Sequence, residues 1–445
     1  MKNFSLRARL KMSAAALFAF AAALCVFLSS CGYASTLDWA VDFIQRYYYL
    51  DVSEEAVREA GLENLSGNVL DIYSGYYTAE ESEAVDASNA GRRSGIGVSY
   101  QFVPEGAFSG GSGVYIVSVL GNSPAWHAGL RGGTFVEEAV TSDGTVFKIE
   151  SNEDFSSFIE DRADGENFTL VTDRGSYEMS RAEYTMSYCY MATAQTEWSI
   201  DYSSSGGLTV AERASSDYSF LPEGAAYISL SQFYGNAVEE TEELMKVFNQ
   251  NGFTSLILDL RNNGGGYVDV MRGLTYIFTA NSPGYSSVAM YAEYKDGSRY
   301  NFAVDTGSPK ESLLPEGVEM TLLANNGTAS ASEALIGALL SAGTVSFSDV
   351  FVSDFSQSYL NFSGTAQKNA RTYGKGIMQS TFTYKTGESL KLTVARIFWP
   401  DGTCIHDVGI GVAQGATAVG AEWSKTYPDA ELERAVQLAY ASAAA

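Results

Sequence analysis

Histidine is almost missing from this chain: two occur in 445 residues. Cysteine is rare as well, at four, and positive charge is scarce, with 28 Lys and Arg against 53 Asp and Glu. Each shortage excludes something. No cluster of Cys, His or carboxylates has metal-ligand spacing, so no metal centre is expected, and no cofactor either. A formal charge of −25 repels phosphate backbones, which argues against nucleic acid as a partner. Beyond Cys31 only Cys189 and Cys404 remain. They are as well read as two free thiols as a pair, so this is not a disulfide scaffold. Charged residues are few overall, at 18%, whereas hydrophobic residues reach 46%. That balance excludes a disordered chain, and the length calls for two or three domains. There is no internal repeat and no long low-complexity tract.

The first thirty residues stand apart. Lys2, Arg7, Arg9 and Lys11 form a basic stretch without an acid, and Met12 to Ser30 carries no charge. This is the layout of an export signal. It closes on Leu28-Ser29-Ser30-Cys31, which resembles a bacterial lipobox, where the cysteine is lipidated and becomes the new N-terminus. An uncleaved signal anchor is the alternative. Both expectations place the remaining chain outside the cytoplasm, held at a membrane.

Residues 36 to 85 read as helical, with Leu37, Val41, Phe43 and Ile44 on one side of the first stretch. "DASNAGRRSG" is a polar break. Short strands and glycines follow, among them "GIGVSYQFV" and "GVYIVSVL", with "SPAWHAGL" as a short helix and "NFTLVTDRGSYEMS" as a hairpin. From about residue 225 the pattern changes to strand, helix, strand. "AVEETEELMKVFNQNG" is amphipathic, with Val238, Leu244, Met245 and Phe248 on one face and a stop at Asn251-Gly252. "TSLILDL" is apolar throughout, as expected of a strand buried on both faces, and "VEMTLLAN" repeats the pattern. "IMQSTFTY" and "SLKLTVARIFW", joined at "KTGE", read as a β-hairpin.

Three segments carry candidate chemistry. "LDLRNNGGG" (258–266) puts Asp259, Arg261 and three glycines at the end of a buried strand, where bare backbone can approach a ligand, although a plain tight turn explains it equally. "NNGTASASEALIGALL" (325–340) places Ser330 before an apolar helical stripe. Ser330 with Glu333 fits a capping box, and the N–H of Ala331 at the helix start suits a developing oxyanion. "RTYGKGIMQS" (371–380) sets Lys375 between two glycines with Gln379 four residues on; an exposed turn is the plain alternative.

Taken together, "DLRNNGGG", "TASASE" and "TYGKGIMQ" resemble, in order and type, the three motifs of the C-terminal processing peptidases, or tail-specific proteases. The likeness extends to "GIGVSY…IVSVLGNSPAWHAGL", similar to the family's PDZ domain, and to "LTVARIFWPDGT…DVGIGV", similar to its closing strands. The resemblance implies a multidomain α/β protein. Its parts would be a signal peptide (1–30), a helical N-terminal segment (31–92), a PDZ-like β-rich domain (93–185) and a ClpP/crotonase-like α/β protease core (186–445). It further implies Ser330 as nucleophile, Lys375 as general base and Gln379 as the group orienting the lysine. Ala331 and Gly265 would be oxyanion donors, Asp259, Arg261 and Glu333 supporting residues, and Ser332 structural. A Ser-Lys pair works without histidine once burial keeps the lysine neutral. Because four residues of extended strand span about 13 Å, the chain would have to curl at Gly374 and Gly376 for Lys375 to meet Gln379. Gly95-Ile96-Gly97 would capture the free, apolar C-terminus of an unfolded polypeptide, as PDZ loops do.

Two departures from the family pattern are visible. The interval from Ser330 to Lys375 is longer than in the family, with the excess around residues 348–367, read as a surface hairpin in preference to a lid. Thr134 stands where the PDZ segment usually has an aspartate. The expected activity is that of an exported, lipid-anchored serine endopeptidase; the alternative is a catalytically silent peptide-binding PDZ lipoprotein.

Overall fold

The computed structural model describes residues 32–105, 112–203, 206–353, 370–420 and 430–441. The signal-like segment and Cys31 lie outside them. Among the described residues no helix is long and apolar enough to cross a membrane. The chain divides into two contact-dense units. The smaller gathers the N-terminal residues through Asp86 with Tyr294–Ser298 and Ile377–Ala395; the remainder forms the larger.

In the smaller unit, helix Thr36–Tyr47 begins where the Ser35 hydroxyl accepts the Asp38 N–H at 3.1 Å. It buries Trp39, Val41, Phe43 and Ile44, as the apolar spacing predicts. Trp39 packs on Tyr384 and Phe43 on Phe382, with ring centres 5.1 and 5.2 Å apart. The helical expectation for 36–85 holds only in pieces. A second helix, Glu54–Ala60, stops at Gly61, and Gly75–Tyr77 is a strand paired antiparallel with Ser389–Lys391. Gly61 and Gly67 both sit at positive φ, near 70°, which breaks any continuous helix. The hairpin expected at 377–398 is present, as strands Ile377–Thr383 and Ser389–Phe398.

The larger unit opens with an antiparallel sheet. Its strands run in the order Val98–Val103, Gly113–Val119, Phe135–Thr141, Asn167–Thr172 and Gly175–Ser180. Helix Asn152–Glu160 packs Phe155 and Phe158 into a core with Val114, Ile116, Val136 and Phe168. Thr134 is fully buried beside it. An eight-stranded sheet follows. Its centre is four parallel strands, Ala225–Leu230, Ser255–Asp259, Glu319–Asn325 and Val350–Ser353. Every residue of Ser255–Asp259 is buried, as the continuous apolar run predicts for a strand covered on both faces. Helix Ala237–Asn251 ends at Gly252 in the left-handed region, satisfying its last carbonyls. In an open parallel sheet, loops at the carboxyl ends of the strands form the binding crevice. Asp259 and Asn325 are such ends. Cys189 and Cys404 are both free thiols.

Candidate active site

The loops leaving strands Ser255–Asp259 and Glu319–Asn325 are locked to each other. Leu260 N–H donates to the Leu323 carbonyl at 2.9 Å, and Asn262 N–H to Asn325 Oδ1 at 2.9 Å. Asn325 Nδ2 returns a bond to Asn262 Oδ1 at 3.0 Å, and Thr328 Oγ1 donates to the Leu260 carbonyl at 2.7 Å. Asn263, wholly buried, links three segments. Its carbonyl accepts Ala329 N–H at 3.0 Å and Ser332 Oγ at 2.9 Å, and its Nδ2 donates to the Leu230 carbonyl at 2.8 Å.

This scaffold presses the glycine run against the start of helix Ala331–Ala342. A Cβ on Gly265, which has φ 95°, would lie 2.7 Å from the Ala331 nitrogen and 2.9 Å from Ser330 Cβ. On Gly266 it would lie 2.3 Å from the Phe233 carbonyl oxygen. Only glycine fits either place. Gly265 N–H, expected as an oxyanion donor, donates to Asn263 Oδ1 at 2.9 Å in this structure. What Gly265 brings to the site here is the close approach of its backbone to Ala331.

The two serines differ sharply. Ser332 is fully buried and its hydroxyl is committed to Asn263. Ser330 is half-buried and stands at φ 58°, ψ −117°, a conformation that costs a non-glycine residue about 1–3 kcal/mol and persists only where the surroundings impose it. Glu333 is part of what imposes it. Its Oε2 accepts Ser330 N–H at 2.9 Å, the carboxylate half of the expected capping box.

Glu333 also does something no capping box requires. The same Oε2 accepts Lys375 N–H at 2.9 Å, and Oε1 accepts Gly374 N–H at 2.8 Å and the Thr372 hydroxyl. Burial pushes the Glu333 carboxyl above its ordinary range, against the pull of these four donors. Thr372 Oγ1 in turn accepts Ile410 N–H at 2.8 Å. Gly374 takes φ 87°, and a Cβ on Gly376 would lie 2.7 Å from the His406 nitrogen, so both glycines flanking Lys375 are fixed by geometry. The structure therefore brings the backbones of Ser330 and Lys375 together on one carboxylate.

The other expected residues fall as follows. Asp259 Oδ1 accepts Arg261 N–H at 2.9 Å, and Oδ2 accepts Arg261 Nη2 at 2.6 Å and the Tyr227 hydroxyl at 2.8 Å. Arg261 Nη1 reaches Glu431 Oε2 at 3.0 Å. Gln379 belongs to the smaller unit, and its Nε2 donates to Thr393 Oγ1 at 3.1 Å. The carbonyls of Ile96 and Gly97 accept Ala125 and Leu120 N–H at 3.0 and 2.8 Å, and Gly95 pairs with Ala182. Within the larger unit a cleft of about 1300 Å³ runs from strand Gly113–Val119 past Tyr190 and Tyr218 to Asn262, Gly327 and Tyr373. Within the long interval before Lys375, residues 354–369 lie outside the described residues.

Residues 224–347 match the sequence profile of peptidase family S41. That match covers 124 of the chain's 445 residues and takes in the Ser330 segment. Two curated relatives agree. A chloroplastic C-terminal processing peptidase of Tetradesmus obliquus is 27% identical over 350 residues, which cover 74% of this chain and 61% of that one. A CtpA-like serine protease of Staphylococcus aureus strain N315 is 24% identical over 364 residues, covering 82% and 60%. The chain thus spans about six tenths of the length of these relatives. In the crystal structure of a Bacteroides fragilis NCTC 9343 protein assigned as an S41 protease, 98% of that chain superposes on 93% of this one with a TM-score of 0.55 at 14% identity, so the fold is shared.

Sequence reading missed Asn263 and Thr372. A second asparagine in a glycine run reads as turn chemistry, and a threonine before a glycine signals nothing; only the fold brings their partners to them.

Proposed function

We propose that this chain is a serine endopeptidase of the S41 type, in which Ser330 attacks a peptide carbonyl and Lys375 takes its proton. The observation that carries the reading is Glu333 Oε2, which holds Ser330 N–H and Lys375 N–H at 2.9 Å each and so fixes the two chain segments in register. The neutral lysine amine accepts the hydroxyl proton as the tetrahedral intermediate forms, then delivers it to the leaving amine. Ala331 N–H, at the positive end of its helix, faces the developing oxyanion, with the Gly265 backbone alongside. Water then releases the acyl-enzyme. Gln379 serves as the orienting group for the lysine, and its amide adds no negative charge that would raise the lysine's pKa.

The antiparallel sheet of residues 98–180 is read as a PDZ-like module, with Gly95-Ile96-Gly97 receiving the apolar C-terminus of an unfolded substrate. An export signal and lipidation at Cys31 would hold the enzyme on the outer face of a bacterial cell membrane.

A covalent probe tests the assignment. Incubating the full-length chain with a fluorophosphonate and mapping the adduct by mass spectrometry should give one label, on Ser330, that is strongly reduced in Lys375→Ala. A label on Ser332, or labelling of Ser330 indifferent to Lys375, contradicts it. No labelling together with measurable peptide binding favours the silent binding protein instead.

A further inference from the structure

The 1300 Å³ cleft is lined by four arginines, in a chain whose acids outnumber its bases almost two to one. Two of them are neutralised. Arg131 bonds Glu197 at 3.0 Å, and Arg261 bonds Asp259 at 2.6 Å and Glu431 at 3.0 Å. Arg174 and Arg371 differ. Arg174 Nη2 donates to the Gly133 carbonyl at 3.0 Å, and Arg371 Nη1 to the carbonyls of Asp407 and Val408 at 3.0 and 2.6 Å. Neither is in an ion pair with a carboxylate among the described residues. Of the three acids on the cleft wall, Asp259 and Glu431 are engaged by Arg261, which leaves Asp217.

A guanidinium has five N–H donors, so the carbonyl bonds leave most of each fork unused. Such a fork matches a carboxylate in bidentate geometry, and Arg371 is exposed and Arg174 half-buried, so both can be reached by a ligand. Arg371 lies next to Thr372, which bonds Glu333 beside Ser330, and so marks the end of the cleft near the candidate nucleophile. Arg174 lies across the cleft on the antiparallel sheet's side, where its guanidinium is anchored to Gly133.

We propose that the cleft selects polypeptides with acidic side chains in the segment that crosses it, and that Arg371 and Arg174 are the residues contacting those carboxylates. The inference rests on the peptidase reading and narrows its substrates. The selection is local, since the acidic surface otherwise disfavours such substrates.

The test uses the full-length Ser330→Ala chain, which should bind without turnover, and fluorescein-labelled disordered peptides with apolar C-termini. One carries Glu at alternating positions, a second Gln and a third Lys. Anisotropy should show the Glu peptide binding about fivefold or more tighter than the Gln peptide. Arg371→Gln should reduce that advantage, and Arg174→Glu should shift the preference toward the Lys peptide, with Arg174→Gln as the milder control. Equal or tighter binding of the Gln peptide, an advantage unchanged in the arginine variants, or binding of neither peptide overturns the proposal. Cleavage by the unsubstituted chain separates it from the peptidase reading. If the Glu advantage persists but neither peptide is cut, the peptidase reading fails alone; if both are cut without preference, the cleft assignment fails alone.

Discussion

The backbone N–H groups of Ser330 and Lys375, 45 positions apart in sequence, both end on Glu333 Oε2 at 2.9 Å. One carboxylate therefore sets the strained Ser330 conformation and the Lys375 loop at once. A shift of either segment costs it its own bond to the carboxylate that also holds the other.

Replacing Glu333 by Gln tests this coupling. The carboxylate accepts four donors on two oxygens, and an amide would present N–H groups to two of them. Leaving buried donors unsatisfied costs about 1–3 kcal/mol each, so Glu333→Gln should lower stability by roughly 2–4 kcal/mol and reduce turnover at least tenfold. Thermal unfolding and peptide cleavage check both.

Ser330 and Ser332 should separate cleanly. Ser332→Ala removes a buried hydroxyl from the Asn263 carbonyl, and should cost about 1–2 kcal/mol while leaving measurable cleavage. Ser330→Ala should leave stability nearly unchanged or slightly raised and abolish turnover.

Gly265→Ala should fail in both respects. The new Cβ would meet Ala331 N at 2.7 Å and Ser330 Cβ at 2.9 Å on a backbone at φ 95°. A loss of at least about 2 kcal/mol is expected, together with loss of activity. Gly264→Ala, with nothing within 4 Å of the added Cβ, is the matched control and should cost far less.

Away from the site, Glu240 predicts a pH dependence. It accepts Tyr188 and Cys189 N–H at 2.6 and 2.9 Å and the Tyr202 hydroxyl, where the chain enters the eight-stranded sheet. Burial raises its carboxyl from 4.5 to about 8. The folded state then holds a proton that the unfolded chain releases above its ordinary carboxyl range. The contribution is fully present below pH 4.5 and is lost as pH rises to about 8, an effect on the order of 5 kcal/mol. Denaturant titrations should show stability falling across that window, with a flatter profile in Glu240→Gln.

How far these features are legible in the sequence depends on how local they are. Strand Ser255–Asp259, helix Ala237–Asn251 with its Gly252 stop, and the cap-like start at Ser330 follow from near neighbours, and all are present. Strand Gly75–Tyr77 reads as helix because its partner, Ser389–Lys391, lies more than three hundred residues on. Glu333 reads as half of a capping box for the same reason, since its other donors arrive from residues 372–375. Gly265 is legible as a close-approach glycine, but the Asn263 amide that takes its N–H is not.

The most direct test follows cleavage of a disordered polypeptide ending in apolar residues by mass spectrometry. The full-length chain is compared with its Ser330→Ala and Lys375→Ala variants. The account predicts defined fragments from the unsubstituted chain and none from either variant. Equal cutting by all three would contradict the Ser-Lys assignment, and so would undiminished cutting by Lys375→Ala alone.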